Sequence, residues 1–296
     1  MYRLGAVALS DPVAMDVPPN ADPAVSIFLP RPTQAITLDF LALQTSYVSG
    51  PGDRTTQTVF NHPGTFTTWP LLTGVDVLAR KNAATIVAIG DSITDGYGST
   101  PNQKRWRDVL AEALQSNRKT SDLAVANVGL SANRVLHGLG EAGQSAMERY
   151  ARDVIAQPGV RYVIVLEGIN DIGQPGADRP PSEIVTVEQI EAGLTQMIER
   201  AHEHGLKIYG GTLTPFAGAI FPGYYSPDKE RKREAVNRWI RTQANFAVVM
   251  LDFDRALRDP AAPTRVLKRY DCGDHLHPND AGYRAMGNLA AQIRIH

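Results

Sequence analysis

The chain has 296 residues, and its 30 basic side chains nearly balance 31 acidic ones, leaving a formal charge of -1. It therefore offers no strong field for a nucleic-acid backbone or an anionic membrane. A hydrophobic content of 43% fits one large α/β domain or two modest ones and excludes a disordered chain. The single cysteine, Cys272, excludes an internal disulfide and a multi-cysteine zinc site while leaving the compartment open. No apolar run approaches the roughly 18 residues that cross a bilayer.

In chain order, Met1 to Leu9 carries too short an apolar stretch for a signal peptide, with Asp11 and Pro12 following directly, and reads as a strand. Residues 1–80 contain no Lys and no Glu but nine of the 20 prolines. Helix surfaces usually carry Lys and Glu, whereas this stretch offers β-type runs at Ala24 to Leu29 and Gly74 to Leu78 between Pro/Gly turns. A small β-sandwich-like domain over 1–80 is the simplest account. Its low strand count leaves an edge for the second domain or for another copy of the chain, making a homo-oligomer through that edge. Tyr47, Phe60, Phe66 and Trp69 read as its core and interface, with a sugar-stacking surface as the alternative.

From Lys81 to the end, strands alternate with amphipathic helices. Apolar runs at Thr85 to Ile89, Leu123 to Val128, Tyr162 to Leu166, Leu206 to Tyr209 and Val248 to Leu251 predict five strands. Trp106, Val109, Leu110, Ala113 and Leu114 recur at helical spacing, and further helices are expected near Ser145–Ala156, Val187–His204, Asp228–Thr242 and Asp280–Ile293. Such alternation predicts a doubly wound, mostly parallel sheet whose ligands bind at the carboxyl ends of the strands.

Four loops at those ends carry chemistry. Gly90-Asp91-Ser92 puts a serine just past the first strand of this region, where it is either a nucleophile or part of a helix cap. Asn127-Val128-Gly129 and Gly168-Ile169-Asn170-Asp171 offer Gly129 as a bare backbone donor and Asn170 as an amide donor. Asp274 and His277 stand three apart before the last helix, so the carboxylate can orient an imidazole whose other nitrogen faces a nucleophile. Taken singly, each is also a common turn or cap residue.

Together these blocks resemble the SGNH hydrolase superfamily, the GDSL esterases and lipases, with Ser92, Gly129, Asn170 and His277 in family order. Ala132 stands where relatives often have Gly. The resemblance implies a flavodoxin-like three-layer α/β/α fold over 81–296 and serine-dependent ester hydrolysis with no cofactor and no metal. It also implies catalytic Ser92, Asp274 and His277, and an oxyanion hole from Ser92, Gly129 and Asn170. Relatives with a β-domain usually carry more sequence upstream, so a shortened N-terminus, a lost leader and secretion are the matching expectations.

Other readings are weaker. The α/β-hydrolase elbow wants Gly where Thr94 stands. A Cys272 nucleophile and a metal site from Asp271, Asp274, His275 and His277 each lack a supporting signature. A non-catalytic carbohydrate-binding protein on the same fold would be expected to have lost a catalytic residue, and none is missing. Phe216, Phe221, Tyr224 and Tyr225, in an apolar loop after the fourth strand, are candidates to line a substrate pocket. The expected partner is a small-molecule or carbohydrate ester, either a short-chain acyl or aryl ester or an acetylated plant polysaccharide, with no nucleic acid and no membrane insertion. The basic cluster Lys229, Arg231, Lys232 and Arg233 reads as a solvated helix face.

Overall fold

Strand β5 (Ala84–Gly90) is a run of small and β-branched residues, buried along nearly its whole length as a central parallel strand requires. It pairs in parallel with β6 (Leu123–Gly129) on one side and with β7 (Val160–Leu166) on the other, and β8 (Lys207–Gly210) extends the sheet beyond β7. The order β6-β5-β7-β8 makes the carboxyl end of β5 the point where the winding reverses, which is where a doubly wound sheet opens a crevice. This computed structural model describes residues 8–33, 38–59, 64–102, 104–138, 140, 143–246 and 250–293.

The helices close both faces and complete the expected three-layer α/β/α architecture. Helix α1 (Ser92–Asp95) is one turn, and α2 (Trp106–Gln115) buries Trp106, Leu110 and Leu114 at helical spacing. Helix α3 (Ala146–Tyr150) starts at a reciprocal Ser145/Glu148 cap and runs on as a π-turn to Ile155. Short α4 (Ile169–Gly173) follows β7, and α5 (Val187–Glu203) begins at a Thr186/Gln189 cap. Helices α6 (Pro227–Thr242), α7 (Phe253–Leu257) and α8 (Asp280–Ala290) complete the layers, with α8 against α2 and α6 against α5. Half of the fifth expected strand, Val248 and Val249, lies outside the described residues. Its last member, Leu251, makes a parallel bridge to Gly211 beyond β8.

The N-terminal expectations need correction. Ala24–Leu29 and Gly74–Leu78 form no strand, and their apolar side chains are exposed, up to Leu78 at 101%. Four very short strands, β1 (Leu38–Asp39), β2 (Ser46–Val48), β3 (Gly64–Phe66) and β4 (Trp69–Pro70), pair as two antiparallel ribbons, β1 with β4 and β2 with β3. Among the described residues they make no sandwich. The physical reason is burial: Ala42 is the one buried hydrophobic described before β5, so no alternating face exists to pack a second sheet. Tyr47 is exposed, not core, while Phe66 and Trp69 are half-buried. Phe60 and most of the expected first strand, Met1 to Val7, lie outside the described residues. The module is tied to the sheet region by Arg105, whose guanidinium donates to Leu41 O and Ala42 O.

Gly287 on α8 lets that helix close on α2, because a Cβ there would fall 2.5 Å from Trp106 O and from Val109 Cβ. Helix propensity alone makes Gly287→Ala stabilising by about 1 kcal/mol. The packing predicts the opposite sign, a loss of about 1–3 kcal/mol from overpacking, measurable by urea denaturation.

Candidate active site

Ser92 opens α1 directly after β5. Asp91 is the cap of this turn, its Oδ1 accepting from Ile93 N at 2.8 Å, so the capping role belongs to Asp91 and leaves the serine side chain free. Gly90 is obligatory here, since a Cβ would fall 2.3 Å from both Leu166 O and Thr94 Oγ1.

The Ser92 hydroxyl lies 2.8 Å from His277 Nε2, and His277 Nδ1 lies 2.6 Å from Asp274 Oδ2. The last loop holds this pair as a hairpin: Asp271 bridges Pro278, and Cys272 N donates to His277 O. Asp274 Oδ1 accepts from the backbone N–H groups of Leu276 and His277. Burial pushes the Asp274 carboxyl up, but hydrogen bonds and charge from His277, with these backbone donors, hold it well below the usual carboxylate range. Three residues from two loops thus form one continuous hydrogen-bonded chain ending on a hydroxyl.

The oxyanion side differs from the expectation at one position. Gly129 N donates to Asn127 Oδ1 at 3.0 Å, and a Cβ on Gly129 would fall 2.4 Å from Asp95 N. That glycine serves close packing against α1, not an open donor. Three residues on, Ala132 has φ 64, a conformation that favours glycine, and its N–H has no acceptor among the described residues. Ser92 N is likewise without an acceptor there. Asn170 Nδ2 donates to Asn133 O at 2.9 Å, next to Ala132, and keeps its second N–H; its Oδ1 accepts from Tyr224 OH at 2.7 Å. Open donors from Ser92, Ala132 and Asn170 are what the ends of β5, β6 and β7 supply.

Of the four aromatics expected to line a pocket, Phe216 and Tyr224 are buried in the core, and Tyr225 packs edge-on against Phe216. Their roles are packing and, for Tyr224, fixing the Asn170 amide. Phe221 is 37% exposed and meets the His277 ring edge-on with centroids 6.2 Å apart. Tyr97, which sequence reasoning missed, lies on the same ring at 4.3 Å and is 43% exposed. Its only sequence signal is position, five residues past the serine between Gly96 and Gly98.

Arg149 was also missed. Buried on α3, it donates to Gly90 O, Val128 O and Asn133 Oδ1, joining the ends of β5 and β6 to the loop that carries Ala132. Buried acids surround it. Burial raises Asp91 to about 7 and Asp171 to about 6, although backbone N–H groups bond to both. Burial raises Glu167 well above the usual range, with the Asp91 charge adding to it, and neither of its carboxyl oxygens has a hydrogen-bond partner among the described residues.

The competing nucleophile and metal readings find little support in this geometry. Partial burial pushes the Cys272 thiol up to about 11, with the charges of Asp274 and Asp271 adding to it. Asp271, Cys272 and Asp274 do place ligand atoms within 4.8 Å of one another. Each carboxylate, however, is already bonded to its own imidazole, Asp271 to His275 and Asp274 to His277.

A family model described as GDSL-like Lipase/Acylhydrolase matches residues 88–285. Among solved structures, a putative lipolytic protein of the G-D-S-L family from Desulfitobacterium hafniense DCB-2 is 23% identical over 71% of this chain and 98% of that one, with a TM-score of 0.52. An acetylxylan esterase from Geobacillus stearothermophilus is 22% identical over 73% and 98%, at 0.52. The acetyl xylan esterase AlAXEase is 17% identical over 71% and 100%, at 0.53. At such identities the likeness establishes the fold. No curated protein matches the chain.

The buried acids generate a prediction whose sign is fixed by linkage. A carboxyl raised in the folded state, as Glu167 is by burial, contributes stability below its unfolded pKa that is lost as pH rises toward the folded one. Glu167→Gln keeps the neutral shape at every pH. It is expected to melt above the parent at pH 8 and to converge on it near about pH 4, the unfolded range of glutamate. A parent that melts higher at pH 8 would show Glu167 to be a paired anion.

Proposed function

The chain belongs to the GDSL-like lipase/acylhydrolase family, and on that premise we propose that it is a serine esterase cleaving carboxylic esters of short acyl groups through an acyl-enzyme. The observation that carries this reading is the unbroken chain from Asp274 through His277 to Ser92, with links of 2.6 and 2.8 Å. His277 Nε2 takes the hydroxyl proton as Ser92 Oγ attacks the ester carbonyl, and Asp274 stabilises the imidazolium that forms. The tetrahedral oxyanion is held by Ser92 N–H, Ala132 N–H and the free N–H of Asn170, with Ala132 replacing Gly129 in that role. Collapse passes the His277 proton to the leaving alcohol, and water repeats the cycle on the acyl-enzyme.

A polysaccharide deacetylase is the second reading. Exposed Tyr97 and Phe221 faces beside His277 suit the apolar face of a sugar ring, and two structural neighbours are described as acetylxylan esterases. We also propose the division at about residue 80 into a β-rich N-terminal module and the hydrolase domain, supported by the loss of Lys and Glu before it. A catalytically silent carbohydrate-binding protein is the contrary case. A fluorophosphonate probe decides it, because labelling of the parent but not of Ser92→Ala requires an activated serine.

Ser92→Ala is expected to abolish p-nitrophenyl acetate hydrolysis with an unchanged melting temperature. Asn170→Ala should lower kcat by roughly 10²- to 10³-fold, the usual effect of losing one oxyanion donor. A change in KM alone would contradict that role. Activity should also fall on the acid side, since a protonated His277 accepts no proton. Ala132 and Gly129 are separated by amide NMR of the phosphonylated protein: the Ala132 proton is expected to move strongly downfield, and the Gly129 proton to stay.

A further inference from the structure

A second imidazole–carboxylate pair stands beside the one on Ser92. His275 Nδ1 lies 2.5 Å from Asp271 Oδ2, while Asp271 Oδ1 accepts from the backbone N–H groups of His275 and Gly273. His275 has φ 63, an uncommon conformation for a residue with a side chain, and its ring is 46% exposed. Strain of this kind costs about 1 kcal/mol or more and persists where the surroundings enforce it, often at functional positions. Here it turns the ring outward, and Nε2 has no protein partner among the described residues.

What His275 faces is a notch over Gly218. The loop after β8 is clamped on both sides, by Ala217 N donating to Thr264 O at 2.9 Å and by Ile220 N donating to Asp274 O at 3.1 Å. Between these bonds Gly218 has φ 90 and no side chain. A Cβ on it would lie 3.7 Å from Arg265 Nη1 and 3.7 Å from His275 Cδ2, so guanidinium and imidazole border the same small space. Arg265, on strand β9 (Ala262–Val266), is exposed and makes no ion pair among the described residues. Asp271 does not compete for it, being engaged behind the His275 ring.

The loop that holds the notch also touches the triad, through Ile220 N on Asp274 O and Phe221 on the His277 ring. His277 must hand its proton to the departing alcohol oxygen, and His275 and His277 belong to one hairpin, whereas the open oxyanion donors come from Ser92, Ala132 and Asn170. On the esterase reading, groups on this hairpin and the loop packed against it are the ones placed to meet the alcohol portion of the ester. A guanidinium matches both oxygens of a carboxylate in a planar fork, and the imidazole across the notch suits a neighbouring hydroxyl.

We propose that Arg265 and the Asp271-anchored His275 form a recognition site for a carboxylate on the alcohol portion of the substrate, making acylated sugars that carry uronic acid units the preferred class. This rests on the esterase reading, and the test separates the two. Methyl glucuronide and methyl glucoside differ at a single carboxylate, and their binding is read by amide NMR titration without turnover. The wild-type protein is expected to bind the glucuronide about tenfold more tightly, a typical worth of one charge-assisted pair. Arg265→Gln should reduce that preference below about twofold while leaving p-nitrophenyl acetate turnover unchanged, because that ester carries no carboxylate for the guanidinium to hold. His275→Asn, which tolerates the same backbone conformation, should weaken glucuronide binding with the fold intact. Equal binding of the two glycosides by the wild-type protein, absence of binding included, overturns the site, as does a preference that survives Arg265→Gln. A wild-type protein that preferred the glucuronide but left p-nitrophenyl acetate intact would instead sink the esterase reading.

Discussion

One buried guanidinium holds the site together. Arg149 donates to the carbonyls that end β5 and β6, at Gly90 and Val128, and to the side chain of Asn133 in the loop between Ala132 and Arg134. The nucleophile turn and the loop with the open Ala132 N–H are thereby fixed to each other through one rigid planar group. Strand pairing carries this no further than Gly90 opposite Gly129. Beyond that register the backbone diverges, and side chains take over from the ladder. Asp95 accepts from Ser131 N and Oγ, and Asp171 accepts from Val135 N and Leu136 N. Each bond ties one strand-end loop to its neighbour.

The same region divides its carboxyls into two electrostatic classes. Asp274 is held ionised by His277 and two backbone donors, as a group that must stabilise an imidazolium requires. Asp91, Asp171 and Glu167 are buried near one another, with pKa values displaced upward chiefly by desolvation. Arg149 offsets part of the repulsion for Asp91 and Glu167. Burial thus works against negative charge on these acids, beside the turn that carries Ser92. Burial and hydrogen bonding thus push carboxyls on neighbouring loops in opposite directions.

The parallel core was legible because buried strands flanked by helices must read as apolar runs, and β5 to β8 do. The meeting of Ser92 with the Asp274–His277 pair was legible because residue type, and the spacing of three within the pair, mark a carboxylate held on an imidazole. The pairing of Gly129 with Asn127, and the open N–H of Ala132, depend on backbone angles that no residue letter displays. Ala132 even carries the wrong letter, having a side chain where φ 64 favours glycine. The N-terminal reading went astray differently. A β-type composition states a local preference, but strands persist only where one face finds something to cover, and Val25, Ile27, Val75 and Val77 remain exposed. In the loop after β8, hydrophobicity marked the segment correctly without distinguishing core from rim. Phe216 and Tyr224 went inward, and Phe221 alone of the four reached the His277 ring while staying exposed.

Two residues with side chains take left-handed backbone conformations around the proposed triad, Ala132 on the oxyanion side and His275 on the opposite side. Neither has the freedom of glycine, so each must be held by its surroundings. Gln174 Nε2 donates to Ala132 O, and Asp271 accepts from both the N–H and the ring of His275. Strain kept on both flanks of one hydroxyl has a common effect: it turns polar groups outward that an unstrained loop would satisfy internally. Among the described residues the Ala132 N–H and the His275 Nε2 are both left without partners, one facing the acyl oxygen and the other the alcohol in the proposed geometry. The fold therefore supplies a centre of buried bonds around Arg149 and sets the Ala132 N–H and His275 Nε2 open on its two flanks, where a substrate would have to complete them.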